Sequence, residues 1–125
     1  MRLSQITNDV MLYSIGELCN GGYLRIYGGN MPKSAEKKAE NQSIVELRFP
    51  TPAFRSPDRG VITSTSSLDA IISSTGKATW FRVSNSLGQA ILDGTVGTAG
   101  ADLNLTSIDF ELGAKFTLDS FTIAI

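Results

Sequence analysis

The stretch "ATWFRVSN", residues 78–85, is where the fold is decided. It sets the only Trp of the chain, Trp80, beside Phe81, Arg82 and Val83. Side chains alternate along a strand, so Thr79, Phe81 and Val83 share one face and Trp80 and Arg82 the other. Bulky groups on both sides mean that both faces are engaged. One face belongs to the core; the other lies under a helix or loop of the same chain, or against another subunit, because Trp and Arg are enriched at interface hot spots.

Working outward, the tracts "VITSTS" (61–66), "DAIISS" (69–74), "QAILDGTV" (89–96), "ADLNLT" (101–106), "SIDFEL" (107–112) and "KFTLDSFTIAI" (115–125) alternate with turn residues. A β-rich tract about every eight to twelve residues is the rhythm of a sandwich or barrel. Two changes of phase reinforce it. Leu103 and Leu105 are odd-numbered while Ile108, Phe110 and Leu112 are even, and Phe116 and Leu118 give way to Phe121, Ile123 and Ile125. Each change requires a bulge or a corner where the strand passes between sheets. The glycines of "DGTVGTAGAD" (93–102), Gly94, Gly97 and Gly100, read as a connection taking positive φ, because the Lys and Ser/Thr of a phosphate loop are missing.

Upstream, "YLRIY" (23–27) and "SIVELRF" (43–49) alternate like strands. The polar "MPKSAEKKAENQ" (31–42) reads as an exposed connection, and "PTPAFRSP" (50–57), with three of the four prolines, as a stiff loop or sheet margin. Near the N-terminus Leu3, Thr7, Val10, Met11, Ser14 and Leu18 recur at helical spacing, Ser4 suits an N-cap, and Gly21 and Gly22 suit a helix end. A helix over residues 4–20 is predicted. The expected architecture is all-β: one domain over 1–125, with a short N-terminal α-helix and cap (1–22) and a β-sandwich (23–125).

Composition narrows the chemistry. With no His, the Ser-His-Asp, Cys-His and His-zinc systems are excluded. The lone Cys19 rules out an internal disulfide and reads as a small buried side chain in a product of a reducing cytoplasm. The acids Asp93, Asp102, Asp109, Glu111 and Asp119 read as solvated groups near turns, so no enzyme, cofactor or metal site is expected. A net charge of −1 gives no attraction to nucleic acid, and no apolar run or leader points to a membrane. The charges are uneven: residues 25–88 carry nine Lys/Arg against five Asp/Glu, and residues 89–125 carry one against five. The two halves complement one another within a monomer or between neighbours.

Three segments, "NGGYLRIYGGNMP" (20–32), "TGKATWFRVSNSLGQAILDGTVGTAGADLNLTS" (75–107) and "GAKFTLDSFTIAI" (113–125), follow a short N-terminal helix. Together they resemble a family of small tailed-bacteriophage virion proteins; residues 33–74 depart from the pattern. The resemblance implies a jelly-roll-type sandwich and a structural role, foremost capsid cement or decoration. The expected partners are the major capsid protein and further copies of the chain in a dimer or trimer, and the expected place is the capsid exterior, after assembly in the host cytoplasm. A tail, neck or baseplate component is the alternative within that class. A receptor- or carbohydrate-binding sandwich is another, and it needs Trp80, Tyr23 and Tyr27 exposed together. The helix, residues 33–42 and the proline-rich loop are the elements that reach toward partners. The expected contact residues are Tyr27, Pro52, Phe54, Arg55, Trp80, Arg82 and Ile125.

Overall fold

A computed structural model describes residues 1–125. The helix forms where its cap allows: α1 spans Gln5–Leu18, and the Ser4 hydroxyl accepts from the Thr7 amide at 3.2 Å. The strands are β1 Tyr23–Tyr27, β2 Val45–Arg48, β3 Val61–Thr63, β4 Leu68–Ile71, β5 Gly76–Lys77, β6 Trp80–Ser84, β7 Ala90–Gly97, β8 Leu103–Asn104, β9 Asp109–Phe110, β10 Lys115–Leu118 and β11 Thr122–Ala124. The protein is mainly β with one short helix. No helix is long and apolar enough to cross a membrane.

The main sheet runs β2-β1-β6-β7-β8 and curls into a half-barrel. Its pairings are antiparallel except β7 with β8. The other strands make three two-stranded ribbons, β10 with β4, β11 with β3 and β5 with β9. Both changes of hydrophobic phase fall at corners. Between residues 105 and 108 the chain leaves the main sheet and enters the β5 ribbon; between 118 and 121 it leaves the β4 ribbon for the β3 ribbon.

Register explains the core. Val45, Ile26, Phe81 and Gly94 form one row across the main sheet, and Leu47, Leu24, Val83 and Leu92 form the next. These inward rows meet Phe121, whose ring lies 5.5 Å from Phe81 edge-on, 6.1 Å from Phe49 and 6.2 Å from Phe54. Phe110 and Phe116 form a second aromatic pair, 5.0 Å apart.

Two expectations need correction and a third is narrowed. The buried side of α1 is Leu12, Gly16 and, at its C-cap, Cys19, whereas Leu3, Val10, Met11 and Leu18 are exposed. A small residue faces the body because a Cβ on Gly16 would already sit 3.4 Å from the Cβ of Phe54. Second, of Gly94, Gly97 and Gly100 only Gly100 has positive φ, at 71°. Gly94 lies within β7, where Phe81 covers it so closely that an added Cβ would collide with the ring. Third, of the two readings of the proline-rich segment, a stiff loop or a sheet margin, the margin holds. Phe54 bridges Ser64, the Arg55 amide bonds Thr63, and Asp58 and Val61 exchange both backbone bonds around Arg59 (φ 54°) and Gly60 (φ 79°). Two successive positive φ values define the primed turn that suits a twisted hairpin.

Candidate interaction surface

The outward side of β6 settles the first question. Trp80 is 2% exposed; it stacks on Tyr27 with centroids 4.3 Å apart, and its indole N–H donates to the Gly28 carbonyl at 3.3 Å. Arg82 is also buried, with its Nε 2.7 Å from Asp93 Oδ1 and its Nη2 3.0 Å from Oδ2. This two-pronged bond fits a carboxylate to the planar guanidinium and holds Arg82 protonated above its ordinary range. Cover comes from the chain's own atoms.

The same row continues outward on both sides. Arg82 lies opposite Arg25 across the β1–β6 ladder, a repulsive pairing taken alone. Each arginine turns to an acid on its far side, Arg25 to Glu46 at 2.6 Å and Arg82 to Asp93, so the row reads acid, base, base, acid. Tyr23 lies under the guanidinium groups of Arg25 and Arg48, 4.6 Å and 5.0 Å from its centroid. Burial raises the pKa of the Tyr27 phenol.

Residues 35–43 face this row across a polar cleft of about 840 Å³ that also touches Arg25, Tyr27, Arg82 and Ser84. Within the 33–42 connection Glu36, Lys37, Lys38, Asn41 and Gln42 line the cleft while staying exposed. Every buried side-chain nitrogen and oxygen in the protein has a hydrogen-bond partner. The cations facing the cleft from the sheet are neutralised by their neighbours. Three of the four ion pairs, Arg82 with Asp93, Lys77 with Asp109 and Lys115 with Asp69, join the two halves inside one chain.

Of the residues expected to touch a partner, Tyr27, Phe54, Trp80 and Arg82 are withdrawn from the surface. Aromatic and guanidinium groups mark partner contacts only when they are exposed, and here stacking and pairing bury them. Phe54 packs between Phe49 and Phe121. Pro52 and Arg55 remain on the surface, lining a groove of about 330 Å³ with Tyr13, Gly16, Glu17 and Asn20 of the helix region. Ile125 is 53% exposed, although its amide bonds the Gly60 carbonyl.

Beside that groove lies the surface that the sequence misplaced. Seven of the twelve large hydrophobic residues that remain exposed fall within the first 18 positions: Met1, Leu3, Ile6, Val10, Met11, Tyr13 and Leu18. Of these, Tyr13 lines the groove with Pro52 and Arg55. Exposed apolar groups gathered on one element mark a binding surface, for a protein, a membrane or a ligand. Ile6 and Tyr13 carried the available signal, being apolar positions that the stripe of Leu3, Thr7, Val10, Met11, Ser14 and Leu18 leaves over.

No protein-family model, curated protein or solved structure matches the chain.

Proposed function

We propose that this chain is a structural protein of a bacteriophage virion, and within that class a capsid cement or decoration protein bridging major capsid subunits. We further propose that the half-barrel sheet and the ribbons are the two layers of a jelly-roll-type sandwich. The observation that carries the functional reading is the contrast between a β body whose buried polar groups are all paired and a helix that turns its apolar side outward. A stiff body loses few conformations on binding, and an uncovered apolar surface gains from contact with another protein. Repetition over a lattice turns modest single contacts into avidity. The resemblance of residues 20–32, 75–107 and 113–125 to small virion proteins supports the same role.

Burial of Trp80 and Tyr27 disfavours a sugar-stacking platform, since the rings are not offered together. Quantifying the protein in purified particles tests the cement role. Many copies per head, and heads that break at lower temperature without it, are expected. A copy number fitting a single ring would move the protein to the tail, neck or baseplate, and absence from particles would end the virion reading.

A further inference from the structure

We infer that the outer face of α1 is a self-association surface, on which a second copy of the chain packs its own α1 antiparallel. This deepens the virion reading by naming the occupant of the apolar face, and leaves the β surfaces free for other subunits.

Ile6, Val10 and Tyr13 follow the three-four alternation of a helix-pairing seam, and Leu3, one residue before the N-cap, extends the line. Met11 and Leu18 stand on the flank of the helix, beyond Thr7 and Ser14. The seam lies opposite the buried line of Leu12, Gly16 and Cys19, so the β body does not stand between two seams brought together. At about 100 Å² each, Leu3, Ile6, Val10 and Tyr13, with Met1 at the end of the line, supply on the order of 500 Å² per partner, the size of a weak, reversible interface.

Charge selects both the occupant and its direction. Residues 1–18 contain three charges, Arg2, Asp9 and Glu17. Asp9 is half-buried and accepts from the Gln5 side chain at 2.9 Å; Glu17 accepts from the Asn20 side chain at 3.0 Å but stays exposed, which leaves Arg2 at one end of the seam and Glu17 at the other. In a parallel pair like charges and helix dipoles would align. In an antiparallel pair Leu3 meets Tyr13, Ile6 meets Val10, the dipoles oppose, and Arg2 approaches Glu17 of the second copy. A twofold pair needs one patch complementary to itself, and this patch meets the condition.

Sedimentation of the full chain tests the pairing. A dimer dissociating in about the micromolar range is expected. Ile6→Glu and Val10→Asp, both at exposed positions, should loosen it by more than about tenfold while leaving the circular dichroism spectrum unchanged. To read direction, Ile6→Cys and Val10→Cys are mixed and oxidised: a disulfide between the two variants is expected, whereas bonds formed only between identical variants would overturn the antiparallel arrangement. Wild type that stays monomeric, or Ile6→Glu and Val10→Asp that stay dimeric, would overturn the pairing itself. A monomer that still loads onto particles would do so and leave the virion role standing.

Discussion

The outer face of the main sheet and the outer face of α1 both point away from the core, yet they are made of opposite materials. The sheet face carries Tyr23, Arg25, Tyr27, Trp80 and Arg82, the residue types that dominate interfaces, and resolves them internally through a stack, two cation–π contacts to Tyr23 and ion pairs to Glu46 and Asp93. The helix face is mostly aliphatic, with Tyr13 its one aromatic ring, and its apolar groups stay exposed. Residue type alone would have ranked the two the wrong way round; what separates them is whether each group already has a partner within the chain.

The sharpest way to break the contrast is to remove Asp93. Arg82 would remain buried with no carboxylate, and removing one member of a buried pair costs about 3–5 kcal/mol. Asp93→Ala should therefore lower the urea midpoint severely. A change near zero would mean that the sheet face opens to water, and the comparison would lose its closed half.

Next in size is Gly94→Val. The added atoms would run into the Phe81 ring, which packs edge-on against Phe121 at the centre of the aromatic cluster. Overpacking of this kind costs about 1–3 kcal/mol. The same change at Gly88, where nothing lies near an added Cβ, would test the positive φ of 83° instead of the packing.

Alkaline titration gives a graded effect. Burial pushes the Cys19 thiol up to about 12 from an ordinary 9.0. Below pH 9.0 folded and unfolded chains both hold the proton, and the contribution is fully present. Above it only the unfolded thiol ionises, so stability falls by about 1.4 kcal/mol per pH unit until the folded thiol also titrates. Cys19→Ala should remove that share of the slope, and denaturation curves at successive pH values would show it. An unchanged slope would mean that the thiol is not held away from water.

How much of this was legible follows from how local each signal is. The strand "YLRIY" was read to the residue because alternation and flanking glycines act within five positions. The corners were legible because a change of phase is itself local. The active side of the helix was not: α1 has apolar residues nearly all round, and its contact with the body uses Gly16 and Cys19, which weigh little in a periodicity. Nor was the closure of the sheet face, since the pairing of Arg82 with Asp93 depends on register between β6 and β7, and the stack of Trp80 on Tyr27 joins residues far apart in sequence. The two-residue strands β5, β8 and β9 exist only through their neighbours.

The smallest effect tests the open half of the comparison. Ile6→Gln and Leu18→Gln replace side chains that are 78% and 54% exposed with residues that favour helices at least as well. In the monomer they give up almost no burial, so their stability should stay within about 0.5 kcal/mol of wild type. That near-silence is informative only beside Asp93→Ala: one substitution on the face rich in Trp and Arg should lower the urea midpoint severely, while two on the helix face should leave it in place. A loss of more than about 1 kcal/mol under dilute, monomeric conditions would mean that the body of the same chain covers Ile6 and Leu18. The helix would then be part of the core, and its apolar side would have no claim on a partner.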